Sequence, residues 1–498
     1  MPRGRATAFT TDVDEQRRLF QVALERSGLS LEDLWLRYFA LGGDAGMVEV
    51  EAYLHGMMPF ASHQRDILAH AVNEYLDDQV RTQRVPYASP LPAPREDEPK
   101  VLQALTRLLH GTRINPSRLP EVMDQAGHIV GVEIVAYLVD YDQRVLRPVP
   151  VPGKPPREPL PVETTLAGRA FRQIEPAPHE RGRRGLWMPL LDGAERLGVL
   201  DVTVPEPLDP HDLGLRRSLD HLAALLGHLV VVQDRYTDDL DAVRRARPRE
   251  VAAELVWQLL PSLTFGTDAV VLSGAVEPAY EVGGDAFDYA VRGDTAHVAI
   301  FDGTGHALTG GLVTAAAICA YRSARRNGAS LYDTVRLVDE TIAEEFGAER
   351  FVTAVLIEID LPTGEVRYVN AGHSSPLLLR GGKVVKALTH GRRPLLGLES
   401  SELTIGTEQL EAGDWLVLYT DGVTEARDAD GGFFGEPRLV DFLEREAATH
   451  HPPPETLRRL MAAVLAHQHG VLQDDATVVL AQWTGANARA TQDRLSPT

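Results

Sequence analysis

From residue 269 onward the chain breaks into short runs rich in β-branched and aromatic residues, separated by tight-turn signals. No other feature constrains the fold as much. Residues 269–276, 296–301, 351–359, 365–370, 376–379, 383–388, 415–419 and 476–482 each have the composition and length of a strand. Pro362-Thr363-Gly364 and Gly381-Gly382 are links too brief for a crossover, so the strands they join pair as antiparallel hairpins. Helical spacing of apolar residues appears in two pairs, 310–326 with 331–346 and 437–448 with 455–469. Hairpins with segregated helix pairs predict an α+β domain over 259–484, its helices packed on its sheets.

At 498 residues the chain is too long for one ordinary core, and a multidomain protein is expected. Residues 1–84 predict an all-α module: Leu31, Leu34, Trp35 and Tyr38 recur at helical spacing, Ser30 starts a helix, and a second helix pair follows Pro59. Residues 85–99, rich in proline and charge, predict a linker. Residues 100–235 alternate between the two periods. There 101–109 is helical, 132–140 is a strand, 164–171 is a helix capped by Thr164 or Thr165, and strands 186–191 and 197–204 join through Asp192-Gly193. A helix over 213–233 leads into a helical connector at 236–258 with Pro248 as its kink. Such a connector would let two copies pair as a two-helix coil, giving a homodimer. Residues 485–498 are polar and predict a frayed tail.

The formal net charge is −21, and there is one cysteine, Cys319. So acidic a chain is not expected to bind nucleic acid. One cysteine leaves no internal disulfide and no cysteine metal cluster; inside the apolar run 312–321 it reads as a small core residue. No apolar stretch reaches the ~20 residues of a membrane-spanning helix, and residues 1–11 lack the apolar core of a signal peptide. The expectation is a cytoplasmic protein with no membrane partner.

Aspartates sit at the strand ends. His297-Val-Ala-Ile-Phe-Asp302-Gly303 is an apolar strand ending in Asp-Gly, and Trp415-Leu-Val-Leu-Tyr-Thr-Asp421-Gly422 repeats the form. Asp474-Asp475 precedes the strand at 476, and Val282-Gly-Gly-Asp285 precedes another extended segment. Strand ends are rigid supports. Four carboxylates at one edge repel each other unless cations stand between them, and carboxylate oxygens suit the hard ions Mg2+ and Mn2+. A lone Asp-Gly is most often a plain turn, as is the Gly42-Gly43-Asp44 tripeptide of the helical module. The ordered set within one domain carries the argument.

That set resembles the metal-dependent protein phosphatase (PPM) family in its bacterial SpoIIE-like branch. The matching residues are Glu281-Val-Gly-Gly-Asp285-Ala-Phe-Asp288, Asp302-Gly-Thr-Gly-His306, Asn370-Ala-Gly-His373-Ser-Ser-Pro376, Leu418-Tyr-Thr-Asp421-Gly-Val-Thr-Glu425, Phe434-Gly435 and Gln473-Asp474-Asp475-Ala-Thr477. The resemblance implies a β-sandwich flanked by paired helices. It also implies two Mn2+ or Mg2+ ions held by Asp285, Asp302, Asp421 and Asp474, with the Gly303 carbonyl completing one shell. Two such ions would activate a water to attack phosphoserine or phosphothreonine. Asp288 and Asp475 would orient the ligands from behind. His306 and His373 would either assist proton transfer or hold the Asn-Ala-Gly-His turn together. The sequence departs from the family at Ala307, where glycine is common, and at Ser374-Ser375, where more prolines are common. Neither departure removes a ligand.

Upstream, Thr165-Leu-Ala-Gly-Arg-Ala-Phe-Arg, Leu186-Trp-Met-Pro-Leu-Leu and Leu197-Gly-Val-Leu-Asp-Val resemble a GAF sensor domain. This implies an unidentified small-molecule or protein signal at 100–235. The phosphatase branch implies a phosphoprotein substrate, a STAS-domain anti-sigma-factor antagonist, within a signalling switch.

Other chemistries fail on their motifs. Gly303-Thr-Gly305 lacks the third glycine of a dinucleotide loop, and Gly381-Gly-Lys383 is followed by Val384 where a P-loop has Ser or Thr. The alternative from another class is a non-catalytic sensor or scaffold whose phosphatase-like domain only binds partners. Degenerate members of the family lose metal aspartates, and all four are present here.

Overall fold

The structure is a computed structural model. It describes residues 13–40, 43, 45–61, 64, 65, 67–69, 71, 72, 104, 116–180, 182–281, 283–305, 307–449, 451–470 and 472–485. The expected linker at 85–99, the helix at 101–109 apart from Ala104, most of the helix pair after Pro59, and the tail beyond 485 lie outside the described residues. The chain divides into two compact units, residues 1–100 and 101–498.

In the first unit, α1 (Val13–Ser27), α2 (Leu31–Ala40) and α3 (Met47–Leu54) bury Phe20, Leu34, Tyr38, Val50 and Tyr53 in one core. Ser30 caps α2, its hydroxyl accepting from the Asp33 amide at 3.1 Å.

The second unit begins with α4 (Leu119–Val130), β1 (Glu133–Val139), β2 (Val145–Pro148), β3 (Leu160–Pro161), α5 (Leu166–Gln173), β4 (Ala177–Pro178), β5 (Gly185–Asp192) and β6 (Glu195–Thr203). Its strands form an antiparallel sheet in the order β3-β2-β1-β6-β5-β4. Thr165 is the cap of α5, accepting from the Gly168 amide at 3.0 Å. The β5–β6 hairpin turns through Gly193, whose φ of +58° suits glycine. α6 (Leu213–Asp234) lays Leu219, Leu222, Leu226 and Leu229 into the core beneath this sheet.

The connector is not one helix. α7 (Asp239–Arg244) and α8 (Val251–Leu259) are separated by residues 245–250, where Pro248 lacks an amide hydrogen and disfavours helix at the residue before it. Ala253 and Val256 of α8 join the core of the following domain.

That domain comprises β7 (Thr264–Gly266), β8 (Val270–Glu277), β9 (Asp285–Arg292), β10 (Thr295–Gly303), α9 (Ala307–Arg326), α10 (Leu331–Phe346), β11 (Val352–Asp360), β12 (Glu365–Ala371), β13 (Leu377–Arg380), β14 (Lys383–Ala387), β15 (Arg392–Arg393), β16 (Gly406–Gln409), β17 (Trp415–Tyr419), α11 (Asp421–Thr424), α12 (Gly435–Thr449), α13 (Pro453–His467) and β18 (Ala476–Trp483). One sheet runs β15-β12-β11-β10-β9, with β16 also paired to β12; the other runs β14-β13-β17-β18-β8-β7. Phe287, Val298 and Ile300 of the first share a core with Leu272, Leu416 and Val479 of the second, and α9 and α10 add Val313, Ala317, Val335 and Val338. α12 and α13 cover the second sheet through Leu439, Leu443, Leu457 and Leu460. The result is the expected sandwich of two sheets between two helix pairs. Cys319 is a correction: it is exposed. The inward face of α9 is spaced through Val313, Ala317, Tyr321 and Ala324, which leaves position 319 on the opposite side.

Buried polar contacts join the two halves of this unit. Arg196 donates to Glu455 Oε2 at 3.0 Å and to the Pro454 carbonyl at 2.9 Å. Arg458 donates to Glu455 Oε1 at 2.8 Å and to Glu163 at 2.6 Å. Tyr141 meets Trp257 edge-on at 5.2 Å and carries the Arg249 guanidinium 4.2 Å over its ring. Arg249 also donates to the Ala279 carbonyl at 3.2 Å, and Arg247 pairs with Glu281 at 2.6 Å. The connector is therefore bonded along the segment that leads into Asp285. Among the described residues no helix is long and apolar enough to cross a membrane.

Candidate active site

The antiparallel register of β9 and β10 places Asp302 directly opposite Asp285. Cross-strand partners project from the same face, so these two carboxylates face one another at one end of the sheet. β17 and β18 are neighbours in the other sheet, paired at Tyr419 and Val478. Asp421 opens α11 just beyond β17, and Asp474-Asp475 lies just before β18. The two edges are tied together: Thr420 Oγ1 donates to Asp285 Oδ2 at 2.6 Å and accepts from the Thr477 amide at 2.9 Å. Asp475 Oδ2 accepts from the amides of Gly283 and Gly284, both at 2.7 Å. Asp475 thus holds the loop that delivers Asp285.

Two glycines allow the loops to meet. A Cβ on Gly284 would stand 2.6 Å from the Gly303 carbonyl oxygen, and one on Gly303 would strike the Thr314 hydroxyl at 2.3 Å. The Gly303 amide donates to the Gly284 carbonyl at 3.0 Å. A side chain at Gly284 would push the Asp285 and Asp302 loops apart, and one at Gly303 would push the end of β10 off α9.

The carboxylates grade from buried to open. Asp285 is 3% exposed, Asp302 and Asp475 are half-buried, and Asp421 and Asp474 are exposed. Burial raises the pKa of Asp285 well above the usual range, and the charges of Asp302 and Asp475 add to it. Burial, then Asp421, Asp474 and Asp475, pushes Asp302 up to about 6. Asp421 is raised by burial and by Asp474 and Glu425. The strongest charged neighbours of these three are carboxylates alone. Other buried acids of the domain are paired differently: Asp288 with Arg322 and Arg325, and Asp339 with Arg393. Oxygen-only donors with no basic partner fit hard divalent cations. Among the described residues no three His, Cys, Asp or Glu side chains form a ready metal cage; the carboxylates line a rim.

His373 is buried behind this rim. Its Nδ1 lies 2.6 Å from Thr353 Oγ1, which lies 3.5 Å from Asp302 Oδ2. Asn370 accepts from the His373 amide at 2.8 Å and donates to its carbonyl at 2.9 Å. Burial lowers the His373 pKa to about 4, against a smaller opposing pull from the Tyr419 backbone. The imidazole is thus neutral near pH 7 and reaches Asp302 through Thr353, while the Asn370 side chain closes the Asn-Ala-Gly-His turn on the His373 backbone.

Asp288 is a correction. Its carboxylate accepts from Arg322 at 2.6 Å and Arg325 at 2.9 Å, both on α9. Three residues along a strand reverse the face, so Asp288 points away from the side on which Asp285 lies. His306 lies outside the described residues. Sequence reasoning missed Thr353, Thr420 and Thr477. Thr420 and Thr477 flank Asp421 and Asp475 within quoted motifs. Thr353 is placed by register alone, opposite Asp302.

Residues 292–484 match the family model for stage II sporulation protein E, SpoIIE. This segment is a SpoIIE domain. Asp302, Asp421 and Asp474 fall inside the matched stretch, and Asp285 precedes it. Among curated proteins, the chain is 33% identical over 150 residues to Protein IcfG of Synechocystis sp., covering 30% of this chain and 23% of that protein. It is 22% identical over 241 residues to phosphoserine phosphatase RsbU of Bacillus subtilis, covering 46% and 68%. Among solved structures, the SiaA-PP2C domain of Pseudomonas aeruginosa aligns at 22% identity over 51% of this chain and 99% of that one, with a TM-score of 0.40. The similarity to IcfG spans less than a quarter of that protein's length. The SpoIIE domain holds the whole carboxylate rim except Asp285, which β9 supplies from its first residue.

Proposed function

We propose that this protein is a metal-dependent serine/threonine phosphoprotein phosphatase whose site is the carboxylate rim of its SpoIIE domain. The observation that carries the reading is the Asp285–Asp302 pair facing one another at an edge shared with Asp421, Asp474 and Asp475, with no basic residue among the strongest charges acting on it. The relative RsbU of Bacillus subtilis is a phosphoserine phosphatase, which supports the same chemistry. Asp285, Asp302, Asp421 and Asp474, with the Gly303 carbonyl, would hold two Mn2+ or Mg2+ ions. When bound, such ions supply Lewis acidity toward a phosphoryl oxygen and an activated water. The chain's own part is to fix that donor set. Thr420 bonds Asp285, Asp475 holds the Gly283–Gly284 loop, and His373 acts through Thr353 on Asp302.

The substrate in this reading is a phosphoprotein, a STAS-domain anti-sigma-factor antagonist, and the upstream domain is a GAF-like sensor for a signal not yet identified. Its route to the site is physical: Tyr141 packs beneath Arg249 and edge-on to Trp257, and Arg249 and Arg247 grip residues 279 and 281 next to the Asp285 loop. A homodimer through the connector would use its exposed Tyr236 and Val251, because the apolar stripe of α6 is already buried. Light scattering at micromolar concentration tests it.

The experiment that tests the function is hydrolysis of a phosphoserine peptide by the full chain, with and without Mn2+, beside Asp302→Asn. Turnover that requires Mn2+ and disappears in Asp302→Asn is expected. A full chain with no turnover under any metal would leave the non-catalytic scaffold as the better reading.

A further inference from the structure

Arg350 precedes β11, whose first residue, Val352, pairs with Gly303. The backbone around it is pinned to the loop that leaves Asp302. The Thr304 amide donates to the Phe351 carbonyl at 3.0 Å, and the Phe351 amide donates to Thr304 Oγ1 at 2.9 Å. The Arg350 side chain then runs over that loop: its Nη1 lies 3.3 Å from where a Cβ would stand on Gly305. Gly305 has a φ of +117°, a conformation that favours glycine. The guanidinium is therefore held three residues along the chain from Asp302.

Among the described residues this guanidinium has no hydrogen-bond or ion-pair partner. Arg350 is half-buried, and the well-buried arginines of the domain are employed: Arg325 on Asp288, Arg393 on Asp339 and Arg458 on Glu455. Arginine carries five donors in a planar fork and stays charged, so an unpaired one over the loop that leaves Asp302 is a ready anion receptor.

A charge count says why the site needs one. Ionised, the five aspartates of the rim carry five negative charges, and two divalent cations return four. A phosphomonoester dianion would then enter a centre that is still negative. A cation beside the rim offsets that repulsion, and Arg350 lies over the loop that follows Asp302.

We propose that Arg350 binds the phosphoryl group of the substrate, its guanidinium donating to two non-bridging oxygens while the ester approaches the carboxylate rim. This deepens the phosphatase reading and rests on it. A charge-assisted pair of this kind contributes roughly 1.5–3 kcal/mol, or about a 10- to 100-fold change in affinity.

The test uses the full chain with Mn2+, a phosphoserine peptide as substrate and inorganic phosphate as competitor. Arg350→Ala should raise KM and the phosphate inhibition constant by about tenfold or more, with a smaller effect on kcat and an unchanged calorimetric Mn2+ titration. Arg350→Lys should recover part of the loss, and it keeps the test open if Arg350→Ala does not fold. KM and phosphate inhibition within about twofold of the unmodified chain in a folded variant would overturn the proposal. If the unmodified chain proves to have no turnover, calorimetry with inorganic phosphate still decides. Binding lost in the variants supports Arg350 as an anion receptor although the phosphatase reading has failed. Equal binding, or none in either, removes it.

Discussion

Asp302 stands directly opposite Asp285 across the β9–β10 pair, two carboxylates on one face at the end of a sheet. Like charges directly opposed in a sheet destabilise it, by up to about 1 kcal/mol at ordinary sites. Here burial and three further aspartates add to the effect. Asp302→Asn should therefore stabilise the protein in EDTA while turnover falls to background. A melting midpoint a few degrees higher corresponds to about 1 kcal/mol. Mn2+ should raise the midpoint of the unmodified chain and leave that of Asp302→Asn nearly still, because only the intact donor set binds it. Differential scanning fluorimetry with EDTA and with Mn2+ checks both; a variant that Mn2+ stabilises as strongly as the unmodified chain would remove Asp302 from the donor set.

Much of this arrangement is legible in the chain itself. The strand-ending aspartates are visible because an apolar run stops at each of them, and the helix pairs because their apolar spacing is regular. β15 and β16 are not, since Arg392–Arg393 and Gly406–Gln409 carry no strand composition and are extended only because β12 offers them partners. Asp288 misleads because it stands beside Asp285 in sequence, while the pleat sends it to Arg322 and Arg325. Thr353 has no local signal at all. Its role exists only once β11 is in register with β10.

Among the described residues Thr353 is the hydroxyl that stands between His373 and Asp302. Thr353→Val keeps the shape and removes both contacts. Groups that orient metal ligands typically change affinity or activity by about 10- to 100-fold when lost. Thr353→Val should lower turnover in that range and weaken Mn2+ binding while the melting midpoint moves little. Full activity in Thr353→Val would confine His373 to holding its turn.

Glu277, at the end of β8, has its pKa raised to about 8, first by burial and then by the charge of Asp142 from the upstream domain. A carboxyl whose folded pKa exceeds its unfolded value of 4.5 favours the folded state fully only below pH 4.5. That contribution is lost as pH rises toward about 8, because the unfolded chain gives up its proton first. Glu277→Gln should flatten the fall in unfolding free energy across this window and make the protein more stable at pH 8. Urea denaturation at several pH values measures it, and an unchanged slope would show that Glu277 does not titrate across folding.

Arg196 and Glu455 bring the two halves of residues 101–498 together with side chains only 3% and 2% exposed. A buried ion pair contributes little over an apolar replacement, but removing one partner leaves the other charge stranded, at a cost of roughly 3–5 kcal/mol. Arg458 keeps a bond to Glu455, so Arg196→Met should fall at or below the lower end of that range. Arg196→Met with Glu455→Met should recover much of the loss, because Arg458 then retains Glu163. The consequence reaches the site: Glu455 lies in the first turn of α13, and the chain leaving α13 delivers Asp474 and Asp475. Arg196→Met should therefore weaken Mn2+ binding as well as stability, whereas the double variant should restore stability more fully than Mn2+ affinity. Urea denaturation and calorimetric Mn2+ titration of both variants decide it. Additive losses, with no recovery in the double variant, would mean that the two side chains are not energetically coupled across the junction.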